Sequence, residues 1–235
     1  MKIITWNCQM AFRKKGHLIQ NEEPDILIVP ECEHPDKLLN LALNATSTLW
    51  YGTNKNKGLA VFSFGRYVLK EMNDHNVELK LFCPIHVTGG ECDFKLFAVW
   101  ANNPQDWEYQ YIGQVWKAIH YYENILSTEQ IIIAGDFNSN IIWDKLHRKA
   151  SHTMVIDMLE SLGIFSTYHM HNNEAQGKEL HSTFHLYRHE NKPYHIDYCF
   201  ASQFFIERLI DVEVGQFRNW TLYSDHKPLI VTFDF

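Results

Sequence analysis

Five short segments of this sequence bring together the residue types that bind cations and move protons. Asn7 follows the apolar run KIITW, Glu31 follows DILIVP, and Asp136 and Asn138 follow QIIIAG. Asp197 lies inside HIDYCF, and Ser224, Asp225 and His226 precede the last apolar run. Carboxylates of this kind suit a hard cation such as Mg²⁺, which takes oxygen ligands, keeps waters and binds through one or two carboxylates plus a substrate phosphate. Such an ion offsets charge at phosphoryl oxygens and helps a leaving oxygen depart. A second carboxylate, or a histidine paired with one, can orient or deprotonate the attacking water. The chemistry these types point to is hydrolysis of a phosphate ester.

Converging side chains from distant parts of a chain need strand ends to carry them. Strands are expected at Lys2 to Trp6, Asp25 to Pro30, Gly58 to Phe64, Phe94 to Trp100 and Gln130 to Gly135. More follow around Ser182 to Tyr187, His195 to Ala201, Asp211 to Val214 and Pro228 to Phe233. A short helix is expected between Phe12 and Asn21. Trp107 to Leu126 reads as the longest one, with Tyr111, Val115, Ala118, Ile119, Tyr122 and Ile125 on one apolar stripe. Ser151 to Leu162 is another, with a serine cap and Gly163 at its end. The segment His169 to Glu179 is the most loop-like. No repeat, low-complexity tract or linker interrupts the chain, so residues 1–235 are expected to form one domain.

Composition narrows the class. Hydrophobic residues make up 46% and charged ones 21%, as in globular proteins, and no apolar run reaches the roughly 18 residues of a membrane helix. The opening MKIITWNCQM reads as a strand rather than a secretory signal. Five cysteines without a CxxC argue for reduced thiols and a cytoplasmic home. The formal net charge of −7 lowers the odds of a long, sequence-blind grip on DNA, although a local groove can still be basic. Fourteen histidines invite a zinc site, but no HExxH or paired Cys/His spacing supports one.

The strings ITWNCQ (4–9), IVPE (28–31), KGLAVFS (57–63), GDFNSN (135–140), HIDYCFAS (195–202) and SDHKPL (224–229) occur in one order across nearly the whole chain. In that order they resemble the endonuclease/exonuclease/phosphatase superfamily, which includes exonuclease III, pancreatic DNase, neutral sphingomyelinases and inositol phosphatases. Each string alone is weak; their order and spacing carry the resemblance. It implies a four-layer α/β sandwich, two mixed β-sheets packed face to face with helices outside. It also implies Mg²⁺ as cofactor, with Mn²⁺ as a substitute. By resemblance Glu31 is the principal metal carboxylate, with Asn7 as ligand or orienting group. Asp136 positions or activates the water, and Asn138 holds a phosphate oxygen. His226 stands at the scissile phosphate, Asp197 orients it, and Asp225 lies close to the metal.

Two positions depart from the DNA-repair members. Gln9 stands where they carry an aspartate, which weakens a second metal position. Trp100 stands where they place a Tyr or His at the phosphate, and indole offers only an N–H donor. Asn102 and Asn103, just beyond, are candidates for that contact. Asn140, Trp143 and His185 are the remaining candidate substrate contacts, and Trp6 and Trp116 are expected in the core.

Each residue alone also has an ordinary explanation: Asn7 as a turn residue, Glu31 as a solvated charge, GDFN as a plain turn, Asp225–His226 as a surface pair, His185 as a core histidine. Three functions compete. The first is a nuclease on DNA or RNA. The second is a phosphatase or phosphodiesterase of a small molecule, nucleotide or lipid headgroup. The third is a silent binding domain, which retention of Glu31, Asp136, Asn138, Asp197 and His226 disfavours.

Overall fold

The computed structural model describes residues 1–41, 43–79, 81–102, 107–128, 130–145 and 149–235. Fourteen strands are described. In chain order they are β1 Lys2–Thr5, β2 Ile26–Cys32, β3 Ser47–Asn54, β4 Lys57–Ser63, β5 Val68–Glu71, β6 Phe82–Thr88 and β7 Phe94–Trp100. After them come β8 Ile131–Asp136, β9 Ile164–Ser166, β10 Phe184–His185, β11 Pro193–Tyr194, β12 Asp197–Ser202, β13 Leu209–Val214 and β14 Leu229–Phe233. The helices are α1 Gly16–Gln20, α2 Ile112–Leu126, α3 His152–Ser161, α4 Thr167–Asn172, α5 Gln203–Ile206 and α6 Phe217–Trp220.

The strands form two six-stranded sheets, in the orders β13-β14-β1-β2-β4-β3 and β5-β6-β7-β8-β12-β9. Each is mixed, with one parallel pair: β1 with β2 in the first, β7 with β8 in the second. Alternation along the strands sends one side chain set inward and the other outward. Ile3, Ile28 and Val61 of the first sheet meet Ile85, Leu96 and Ile132 of the second in the central core. Outside the second sheet, Phe97, Val99 and Ile133 pack on Val115, Ile119 and Leu159 of α2 and α3. Outside the first, Ile4, Leu27 and Val29 pack on Phe12, Ile19 and Trp220. This is the four-layer α/β sandwich the resemblance implied.

Five strands escaped the sequence reading: β3, β5, β6, β9 and β11. β3 (STLWYGTN) is an edge strand with no fully buried residue, so it shows no clean alternation. β6 contains Pro84, which argues against an interior strand; β5 pairs only as far as Ile85, so Pro84 lies just past the end of that ladder. The expected loop His169 to Glu179 begins inside α4, and the expected strand Ser182 to Tyr187 is reduced to β10 followed by a tight turn. The expected helix from Trp107 starts as a 3₁₀ turn, with α2 proper beginning at Ile112. Among the described residues no helix is long and apolar enough to cross a membrane. All five cysteines are free, four of them buried.

Candidate active site

Strand ends from both sheets meet in one place. Asp136 closes β8 directly opposite Asp197, the first residue of β12. The residue before it, Gly135, has φ +147°, and a Cβ there would lie 1.9 Å from the Val99 carbonyl oxygen. Glycine is what lets β8 close on β7 immediately ahead of Asp136.

His226 completes this half. Its Nδ1 lies 2.8 Å from Asp197 Oδ2, and its Nε2 stands 4.0 Å from Asp136 Oδ2. A carboxylate only accepts, so the proton sits on Nδ1 and Nε2 is left facing Asp136. The support is buried and hydrogen-bonded. The Thr183 hydroxyl accepts the peptide N–H groups of Ile196 and Asp197, both at 3.0 Å. Ser224 Oγ donates to the Asn7 carbonyl at 2.7 Å and accepts the His226 peptide N–H at 3.1 Å. The Trp6 indole N–H donates to the His226 carbonyl at 3.1 Å, and the Phe184 ring packs 4.7 Å from the imidazole.

Burial pushes the Asp136 carboxyl well above its usual range, although the His226 charge pulls the other way. Burial alone would lower the His226 pKa, but the carboxylates of Asp197 and Asp136 outweigh it and favour the imidazolium. Asp197 Oδ1 is buried without a partner. One ligand atom from each of Asp136, Asp197 and His226 lies within 4.8 Å of the others.

The other half belongs to the first sheet. Glu31 sits where the β2–β4 register shifts, at φ +64°, a left-handed conformation that costs a non-glycine residue energy and turns the side chain out of the ladder. The Asn7 amide nitrogen donates to Asp136 Oδ2 at 2.9 Å and reaches Glu31 Oε1 at 3.5 Å; its oxygen accepts the Gln9 peptide N–H at 3.0 Å. Asn7 therefore bridges the two halves as an orienting group. Lys57 lies 3.2 Å from Glu31 Oε1 and 5.0 Å over the Trp100 ring. Gln9 donates to Asp225 Oδ2 at 3.0 Å and receives the Arg188 guanidinium on its own oxygen. Burial raises the Asp225 pKa, and the Glu31 charge adds to the rise.

Other expected contacts are spent within the protein or stand apart from the site. Asn138 is at the site, but its peptide N–H and amide both bond Asp136, at 2.8 and 2.9 Å, and the amide also bonds the Ala101 carbonyl. Trp100 is buried in the inter-sheet core. Asn140 is buried, its amide on the His195 carbonyl and Tyr198 hydroxyl and its oxygen capping the turn at Ile142. His185 is buried with its nitrogens on Ser182 Oγ and the His189 carbonyl. Strand alternation explains this: His185 faces inward, and its neighbour Phe184 faces His226. Asn102 accepts the Tyr111 N–H on its carbonyl, and Trp143 lines an open pocket. Asn103 lies outside the described residues. Sequence reading passed over Lys57, Thr183, Phe184 and Arg188. Lys57 and Thr183 stood inside quoted or flagged segments; Arg188, in a turn of its own, gave no signal.

The model of the Endonuclease/Exonuclease/phosphatase family matches residues 4–226. The chain belongs to that family. It is thus a phosphoric ester hydrolase by type, in a family of divalent-metal-dependent enzymes. Among solved structures it is similar to a 3′-5′ exonuclease from Neisseria meningitidis, at 20% identity and a TM-score of 0.72, with all of both chains covered. An AP endonuclease from Archaeoglobus fulgidus matches at 18% and 0.71, again over all of both chains. A 3′ phosphatase from Neisseria bound to a product DNA hairpin matches at 19% and 0.68, with the same coverage. At these identities the likeness concerns the fold. A comparison with curated proteins finds no match.

The residues present fit a divalent ion. One Asn7 amide nitrogen spans the carboxylates of Glu31 and Asp136, at 3.5 and 2.9 Å, and carboxylate oxygens are what a hard divalent cation takes. In the tighter set, His226 Nδ1 and Asp197 Oδ2 are spent on each other, which suits proton handling better than metal ligation.

Proposed function

We propose that residues 1–235 form one catalytic domain, a Mg²⁺-dependent phosphodiesterase that cleaves DNA or RNA by in-line attack of water. The observation that carries this reading is the meeting of Asp136, Asp197 and His226 within 4.8 Å, with Asn7 linking them to Glu31. Glu31 and Asp225 would hold the ion, and Mn²⁺ substitutes. When bound, the ion offsets charge on the phosphoryl oxygens.

The chain's own residues do the rest. Asp136, steadied by Asn7 and Asn138, positions the water and accepts its proton. Asp197 holds His226 through Nδ1, so that Nε2 stands toward the reacting phosphate and manages the proton there. Both donors of Asn138 are engaged, so binding a phosphate oxygen through its amide requires exchanging one of them. The similar structures are described as a 3′-5′ exonuclease, an AP endonuclease and a 3′ phosphatase bound to a product DNA hairpin, the first and last being one Neisseria enzyme, and this supports a nucleic-acid substrate. The free, mostly buried cysteines suit a reducing, cytoplasmic setting.

One observation favours a second reading, a small phosphoester as substrate: the net charge of −7. The deciding experiment incubates the protein with Mg²⁺ or Mn²⁺ and plasmid, single-stranded DNA, an abasic duplex, RNA or a chromogenic phosphodiester. Nucleic-acid cleavage that disappears in His226→Ala supports the nuclease. Turnover of the small ester alone supports the second reading, and no metal-dependent cleavage sinks both.

A further inference from the structure

A pocket of about 250 Å³ opens beside the active site, and its lining includes Asn138 and Ser139 from the turn after Asp136. Two aromatic side chains, Tyr111 and Trp143, line it together with Asp144 and Ser151. The pocket is firmly built. Trp143 ends a 3₁₀ turn capped by Asn140, whose oxygen accepts the Ile142 N–H at 3.1 Å. Asp144 spends both carboxylate oxygens on the start of α3, taking the His152 N–H at 2.7 Å and the Thr153 N–H and hydroxyl at 2.9 and 2.6 Å. Tyr111, at φ +49°, is held in a costly backbone conformation by its N–H bond to the Asn102 carbonyl at 2.9 Å.

Trp143 remains 38% exposed, so core packing does not account for it. Its ring lies 4.9 Å from Tyr194, Tyr194 lies 6.3 Å from Phe184, and Phe184 lies 4.7 Å from His226. A continuous row of rings therefore leads from the pocket wall to the site histidine. Among the described lining residues none is cationic, and the one acid is committed to α3. The pocket offers aromatic faces and hydroxyl or amide groups, which suits a neutral planar ring.

We infer that this pocket is a nucleobase subsite: it takes the base of a nucleotide whose phosphate sits at Asp136 and His226, with Trp143 and Tyr111 as specificity-determining residues. This rests on the phosphoester reading above. Stacking on an aromatic side chain is worth a factor of about 5–150 in affinity. The subsite thus confers a preference for a nucleotide over a bare sugar phosphate.

The test measures binding by calorimetry, in Ca²⁺ or Mg²⁺, of adenosine 3′- and 5′-monophosphate and of ribose 5-phosphate. At least one nucleotide should bind about tenfold tighter than ribose 5-phosphate. That ratio should fall toward one in Trp143→Ala and Trp143→Leu and largely survive in Trp143→Phe, each variant first shown to melt as the wild type does. Equal binding of all three ligands by the wild type, or a ratio unmoved in Trp143→Ala and Trp143→Leu, overturns the subsite and leaves the phosphoester reading intact. Binding of none overturns the subsite as well, while the cleavage assay above decides the phosphoester reading separately.

Discussion

On the second sheet, Asp136, Asp197 and the His226 they flank are all buried, and Thr183, Ser224, Trp6 and Asn138 hold them by direct hydrogen bonds. On the first sheet, Glu31 stands partly exposed at a bulge, with Lys57 as its ion-pair partner, and Asp225 is reached by Gln9, which Arg188 holds. One half is fixed before substrate arrives; the other is two carboxylates and two cations at a solvent boundary. Proton transfer demands fixed distances and so belongs in the rigid half. A dissociable ion needs an entry path and ligands it can pull into place, which the open half supplies.

The largest expected effect breaks the rigid half. His226→Ala should lower kcat on a chromogenic phosphodiester by about 10²–10⁴-fold, the usual worth of a positioned acid or base. Unchanged turnover would remove His226 from the chemistry. Thr183→Val is the subtler break. It strips the acceptor from two buried N–H groups, at about 1–3 kcal/mol each. A thermal melt should show a lowered Tm and kinetics a lowered kcat, with Thr183→Ser restoring both.

Stability should also depend on pH through histidines behind the site. Burial lowers the pKa of His152 and of His195 to about 4, against an ordinary value of 6.5. Both are neutral in the folded chain, whereas the unfolded chain takes up protons below pH 6.5. Their contribution is therefore complete above pH 6.5 and lost as pH falls toward 4, by at most about 3 kcal/mol per histidine. Urea melts at pH 7 and 5 check this: His195→Gln should lose less stability between the two than the wild type does. The smallest effect tests the open half. Lys57→Met removes a half-exposed ion pair and should tighten the Mn²⁺ requirement by up to about fivefold. Weaker metal use in that variant would make Lys57 a helper of metal binding at Glu31 rather than a competitor for it.

How much of this was legible depended on what each signal needed. Apolar runs ending in Asn7, Glu31 and Asp136 were readable because strand alternation and end position are local properties. Asp197 opposite Asp136 needed the β8–β12 register, which no local pattern gives. His185 was open between a substrate contact and a core histidine for the same reason, and the core reading holds: a strand of two residues carries too little alternation to say which side chain faces in. Trp143 was flagged by its place after GDFNSN, but its pocket partner Tyr111 read only as part of a helix stripe. Arg188 meets Gln9 across 179 positions of sequence, a closeness visible only in the fold.

The division of labour between the two halves is tested most directly by titrating Mg²⁺ against phosphodiester hydrolysis in the wild type, Glu31→Gln and Asp197→Asn. Glu31→Gln should move the half-maximal Mg²⁺ concentration upward by about tenfold or more, while Asp197→Asn should lower the plateau and leave that midpoint in place. A midpoint that moves equally in both variants, or in neither, would contradict the assignment of metal to Glu31 and proton to Asp197–His226.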